Sequence, residues 1–268
     1  MRKFLSLALV LLMTLTFASA CAEESDWQNI LLLGGDARST TAYDRSDSMI
    51  ILSINRNESL VKMTSIMRDT WVSFPGTDKQ GKINAGTVYG GPELAVATVN
   101  EYFGTNIEDY MIVNMSDMRQ IIDLLGGVDL ELTSAEASYL NLAHSGMTHM
   151  DGTTAVNYCR IRYIDNDYQR VMRQQKTLLA IADKAQNMEI TELTEVADEI
   201  GDIILTSLEG EELEDLMMAL MVMDVEEVEQ FRVPVDGTFR SGMYKGIWLI
   251  DPNFDTNKTL LHDFIYGE

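Results

Sequence analysis

The amino-acid sequence predicts an α/β fold in a single domain, and three observations carry that prediction. Strand-like and helix-like segments alternate through residues 29–132, and longer amphipathic segments fill the second half. No Pro-, Gly- or Ser-rich linker, internal repeat or low-complexity tract divides the 268 residues. With 46% hydrophobic residues the chain has ample material for a buried core.

The elements follow in order. Residues 29–35 (NILLLGG) and 48–55 (SMIILSIN) read as strands, residues 60–67 (LVKMTSIM) alternate as a third, and Asn55-Arg56-Asn57-Glu58 supplies the turn between the second and third. A helix starts after Gly91-Pro92 and stops at Gly104, with proline in its first turn and glycine as its end. Residues 110–116 read as a strand, 118–125 as a helix ending at Gly126-Gly127, and 128–132 as a further strand. Helices are expected over about 151–162 and 168–187, joined by a loop at 164–167. Acidic amphipathic segments at 190–205 and 209–223 and a strand at 228–235 complete the pattern. The Glu-rich faces near 192–229 read as solvated surface, and the run LMMALMVM (216–223) as ordinary core packing.

Charge excludes one class of partner. The chain carries 42 Asp+Glu against 20 Lys+Arg, a formal charge of -22, so it repels polyanions and has no surface for nucleic acid. Any anion it binds must meet a local basic site. The N-terminus has a charged start (Met1, Arg2, Lys3), an apolar run of 15 residues (FLSLALVLLMTLTFA) and small residues at Ala18-Ser19-Ala20, the pattern of an export signal. Cleavage there, lipidation at Cys21, or retention of residues 4–22 as an anchor all remain compatible with it. Cys159 reads as a buried small hydrophobe, and His144, His149 and His262 lack metal-ligand spacing.

Residues 160–175, RIRYIDNDYQRVMRQQ, run against this acidity: Arg160, Arg162, Arg170 and Arg173 fall within fourteen residues. Arg170 and Arg173 lie in the first turn or so of the helix expected near Tyr168, where a cation opposes the helix dipole. An anion held between them accounts for the placement, because N-terminal N–H groups and guanidinium forks both favour phosphate. Gln174 shares a face with Arg170 and offers another donor. A second group comes from the loop 34–49 and the hairpin after it. With the turn centred between Asn57 and Glu58, antiparallel register sets Asp47 opposite Arg68. Arg45, Asp47, Arg68 and Asp69 then gather at one sheet end, beside Asp36 and Arg38. Taken alone, this cluster reads equally as an ion-pair network. Together the two groups describe a pocket with several arginines for a multiply charged anion. Asp36 and Asp47 with a diphosphate would meet the needs of Mg2+.

The blocks GGDAR, DRSDSMIILSIN, TSIMRDTWV, KINAGTVYGGPELAVATVN, IIDLLGGVDLEL, DGTTAVNYCRIRY and QRVMRQQ, in this order from about residue 29 to 187, resemble the LytR-CpsA-Psr proteins of bacterial envelopes. The C-terminal stretch PVDGTFRSGMYKGIWLIDPNFDTNKTLLHDFIYG is similar to some members. The resemblance implies a single α/β/α domain with a central mixed β-sheet flanked by helices, spanning 26–268 after a signal peptide or anchor at 1–22. It implies transfer of an envelope glycopolymer, such as teichoic acid or capsule, from a polyprenyl-diphosphate carrier to peptidoglycan at the outer membrane face. It further implies a hydrophobic tunnel for the lipid and Mg2+ at the diphosphate. Asp36 and Asp47 match the family's metal-side positions. Arg45, Arg68, Arg160, Arg162, Arg170 and Gln174 match its diphosphate-contacting positions, with Lys82 and Arg173 as further contacts. Asp47, Arg68 and Arg162 are the expected catalytic group: the arginines and the ion neutralise the departing phosphate, and Asp47 or Asp36 is the candidate base. The chain departs from the family pattern at Met67, where proline is common, and in its short N-terminus. Three rivals stand beside transfer: a polyprenyl-diphosphate hydrolase using the same pocket, a non-enzymatic binder of an envelope phosphopolymer, and a DNA-binding regulator, which charge and export signal disfavour.

Overall fold

The computed structural model describes residues 27–35, 44–162, 164–165, 167–221 and 227–267. The N-terminal segment at 1–22, Asp36 and Arg38 lie outside the described residues. Among the described residues no helix is long and apolar enough to cross a membrane.

A six-stranded mixed sheet forms the centre, in the order β10-β3-β2-β1-β6-β9. Its strands are β1 (Trp27–Gly35), β2 (Ser46–Asn55), β3 (Leu60–Ile66), β6 (Asp109–Asn114), β9 (Leu205–Thr206) and β10 (Glu229–Val233). β1 is antiparallel to β2 and parallel to β6, while β10 lies parallel to β3. The hairpin β2–β3 pairs Asn55 with Leu60 and Ile50 with Ser65, the register expected from a turn centred on Asn57 and Glu58.

Both faces of the sheet are covered, which is why β2 reads as a continuous apolar run: residues 49–55 are all buried. On one face Leu31, Leu33, Met49 and Ile51 pack against Val99 and Phe103 of α1 (Gly86–Phe103) and Leu261 and Ile265 of α8 (Phe254–Tyr266). On the other, Ile30, Ile50, Leu52 and Met63 meet Leu178 and Leu179 of α5 (Asp167–Gln186) and Leu213 and Leu216 of α7 (Glu211–Met221). This is the α/β/α layering the resemblance implied. A side cluster joins β7 (Val128–Leu132) and β8 (Gly146–Met150) to α4 (Gly152–Cys159), next to α2 (Met115–Leu124) and α3 (Ser134–Tyr139).

Several boundaries differ from the sequence expectation for identifiable reasons. The strand expected to reach residue 116 stops at Asn114, because the Asn114 side chain accepts from the Ser116 and Asp117 N–H groups and Asp117 returns a bond to the Asn114 N–H, capping α2. α1 begins before Gly91-Pro92, at Gly86, and is broken where Gly91 takes φ 76°. Six short elements went unrecognised: the hairpin of β4 (Trp71–Ser73) and β5 (Gln80–Lys82), strand β8, helix α3, whose Thr133/Glu136 capping box was a local signal, and the C-terminal hairpin of β11 (Phe239–Tyr244) and β12 (Ile247–Pro252). The last turns through Lys245 and Gly246, both with positive φ.

Gly152 shows how closely the side cluster is packed. A Cβ there would lie 2.1 Å from the Arg119 carbonyl oxygen, and its N–H donates to Asp123 Oδ1 at 2.7 Å. Gly152→Ala is expected to destabilise the fold by about 2 kcal/mol, read as a lower denaturant midpoint with an unchanged m-value.

Candidate functional site

The site begins with an irregularity in the sheet. Gly34 pairs with Ser48 and Gly35 with Ser46, so Asp47 is an extra residue bulged out of β2. Position 34 is tight for any side chain, since a Cβ there would lie 3.0 Å from the Ser48 Cβ. The bulge turns Asp47 towards the end of β3, where Arg68 Nη1 donates to Asp47 Oδ1 at 2.8 Å. Arg68 is itself fixed by a tight turn: the Thr70 N–H and hydroxyl both donate to the Met67 carbonyl, and the Met67 N–H donates to Val233. Charges then alternate outward, with Arg68 Nε 3.9 Å from Asp69 and Lys82 Nζ 2.5 Å from the same carboxylate.

Helix α5 closes the site from above. Gln175 Nε2 donates to Ser65 Oγ at 2.9 Å, tying the helix to β3 in a buried setting. With that contact fixed, Arg170, Val171 and Gln174 face Asp47, Ser48, Arg68 and Arg232 across a small polar pocket. Arg170, which lines this pocket, is 6% exposed. Further along the same stripe of α5, Leu178, Ile181, Ala182 and Ala185 line a cavity of about 290 Å³. Its opposite wall is the sheet face of Leu32, Ile50, Leu52 and Met63, and its floor includes Ile121, Ile200 and Leu216. Ser48 and Gln174 border both spaces.

Of the residues expected from the sequence, Asp47, Arg68, Arg170 and Gln174 therefore converge, and Lys82 joins them through Asp69. Arg45 is exposed just before β2. Arg160 and Arg162 are exposed around the end of α4 and do not line the pocket; the chain there buries Ile161, which leaves its two neighbours facing solvent. Arg173 departs most clearly from expectation. α5 starts at Asp167, so Arg173 belongs to its second turn, and its guanidinium is buried against Glu136 (2.7 Å) and Asp165 rather than offered to a ligand. Leu216 is a further correction, since it lines the cavity as well as packing in the core.

Arg232 was missed. It lies on β10 opposite Ser65, reaches the pocket beside Met67, and pairs with Asp236 at 2.7 Å. Parallel pairing of β10 with a strand more than 150 residues earlier leaves no local signal; only a cation in a strand-like segment hinted at it. Cys159 lines the cavity but is no nucleophile: burial pushes its thiol up to about 11, and it donates to Thr177. Burial also works against the Glu136 carboxylate, yet bonds from the Thr133 N–H and hydroxyl and from Arg173 outweigh it and hold its pKa below the ordinary value.

Fold and site together define an α/β/α domain in which a guanidinium-lined mouth opens onto an apolar cavity. The LytR_cpsA_psr family model matches residues 13–260, and the chain belongs to that family. The polyisoprenyl-teichoic acid–peptidoglycan teichoic acid transferase TagU of Bacillus cereus is 31% identical over 228 residues, covering 84% of this chain and 73% of that protein. The Oceanobacillus iheyensis TagU is 37% identical over 200 residues, 71% of this chain and 62% of that protein. The solved structure of TagT bound to LIIa-WTA superposes with a TM-score of 0.74 at 25% identity, covering 92% of this chain and 94% of that one.

The Glu136 shift has a pH consequence. A carboxylate whose pKa is depressed on folding stabilises the native state above its ordinary value of 4.5, and that stabilisation is lost as pH falls through the folded value. Glu136→Gln is expected to cost about 2 kcal/mol at pH 7, with the deficit shrinking in acid, measured by denaturant melts at the two pH values.

Proposed function

We propose that this protein is a glycopolymer transferase that moves its polymer from a polyprenyl-diphosphate carrier to peptidoglycan at the outer face of the membrane. The observation that carries the proposal is the single stripe of α5, which is cationic and polar at Arg170 and Gln174 and apolar from Leu178 to Ala185. The fifteen helical steps from Arg170 to Ala185 rise about 22 Å, matching a charged head followed by a hydrocarbon tail. The transferase names of the relatives agree with this reading, as does the ligand in the TagT structure's name.

In the reaction, the carrier's hydrocarbon enters the cavity and its diphosphate sits at the mouth. Arg68, Arg170 and Arg232 face the phosphate oxygens with planar donor forks, and Gln174 adds a neutral donor. A hydroxyl of the peptidoglycan acceptor attacks the phosphorus bonded to the polymer; a new phosphodiester forms, the bond to the carrier phosphate breaks, and polyprenyl phosphate leaves. The guanidinium groups hold the charge that grows on that leaving phosphate. Asp47, 39% exposed at the pocket edge, is the candidate acceptor of the hydroxyl proton, a role open to it while it is not bound to a metal ion.

Among the described residues no group of three His, Cys, Asp or Glu could hold a metal ion alone. Magnesium takes one or two carboxylates and completes its shell with phosphate oxygens and water; Asp47 and, outside the described residues, Asp36 would hold it. When bound, it supplies charge neutralisation at the phosphates.

Mass spectrometry of the full chain purified from its cells is expected to find a polyprenyl phosphate or diphosphate. Arg68→Ala is expected to lower transfer about 100-fold with little change in melting temperature. Retained transfer, or polymer released equally fast without acceptor, would overturn the assignment. Ala182→Trp, which fills the cavity, is expected to exclude the lipid while the sheet register survives, checked by extraction and circular dichroism.

A further inference from the structure

The C-terminal hairpin β11–β12 presents four large apolar side chains to solvent at its tip: Met243 (66% exposed), Tyr244 (58%), Ile247 (46%) and Trp248 (48%). Met243 pairs across the ribbon with Trp248, and Tyr244 with Ile247. Neighbouring pairs point to opposite faces, so the tip is bare on both sides. Its root is firm: the Ile250 N–H donates to the Asp69 carbonyl at 2.9 Å, and Ile250 is buried. Asp69 is the carboxylate that holds Lys82 beside Arg68, so the ribbon rises from the rim of the polar pocket.

The ribbon is locally cationic at its tip. Residues 237–250 hold Arg240 and Lys245, both exposed, and no Asp or Glu, while Asp251 lies at the root, paired across the ribbon with Arg240. The Lys245 ammonium lies 5.3 Å from the Tyr244 ring.

We propose that this tip is a docking element that inserts shallowly into the interfacial zone of an anionic lipid bilayer. A glycan strand or a folded protein laid across a two-stranded ribbon covers one face, whereas a bilayer interface surrounds both. Trp and Tyr favour that zone because one end of each ring is apolar and the other wet, and Lys245 and Arg240 offer cations to anionic headgroups. Depth is limited because the outer edges of a lone ribbon carry backbone groups that need water. Docked this way, the protein would hold its polar pocket close to the membrane surface.

Tryptophan fluorescence tests this on the full chain, which has Trp27, Trp71 and Trp248. The protein is mixed with phosphatidylcholine vesicles, with and without phosphatidylglycerol, whose acyl chains are brominated near the headgroup. Quenching and a blue shift are expected, with the quenched component lost in Trp248→Phe and kept in Trp71→Phe. The double variant Arg240→Glu/Lys245→Glu is expected to need at least roughly fivefold more lipid for half-quenching of Trp248, and only when phosphatidylglycerol is present. The proposal is overturned if Trp248→Phe leaves the quenching unchanged. It is also overturned if Trp248 responds to soluble peptidoglycan fragments, or to protein concentration alone, and not to vesicles. These vesicles contain no polyprenyl lipid, so the outcome is independent of whether the transfer reaction proposed above stands.

Discussion

The seating of α5 on the sheet rests on two buried polar contacts, the Gln175–Ser65 hydrogen bond and the Arg173 ion pairs with Glu136 and Asp165. Both are directional, and both stand in surroundings where an unmatched group costs far more than it would in water. They fix the rotation of the helix, and rotation decides which side chains meet the sheet. With Gln175 and Arg173 turned inward, Arg170 and Gln174 fall on the face above Asp47 and Arg68. The apolar residues further along that face follow automatically from the helical repeat.

The two faces of the sheet show what this seating achieves. On the α1 and α8 side, aromatic and aliphatic side chains interlock around Phe103, Leu261 and Ile265. On the α5 side, Leu178 and Leu216 meet the sheet and a cavity remains beside them, lined by Leu32, Ile50 and Met63. The same strands thus alternate between a packed surface and a lining surface with a period of two. The bulge at Asp47 sits where β2 passes from this apolar wall to the charged rim, and it re-aims one side chain without disturbing the residues behind it.

Local pattern made much of this readable in advance. The β2–β3 register followed from a four-residue turn, and with it the meeting of Asp47 and Arg68; the length of α5 and the pairing of Arg170 with Gln174 followed from helical spacing. What escaped depended on contacts distant in sequence. Arg232 reaches the pocket only because β10 pairs parallel to β3, and no short-range signal announces a parallel crossover. Arg173 looked equivalent to Arg170, yet three residues of helix turn it towards Glu136, a partner 37 positions away. Arg160 and Arg162 are set apart by the burial of Ile161 between them. Cavity and core share one alphabet, so Leu216 gave no hint that it lines a void.

Ser48 and Gln174 form a partition only one side chain deep between the charged and apolar compartments. An amphiphile seated there is indexed by solvation more than by shape. Sliding inward by one phosphate would push an anion among Leu and Met side chains, while sliding outward would draw methylenes into water, and either displacement is opposed steeply. For such a ligand the boundary would act as a gauge of where a head ends and a tail begins.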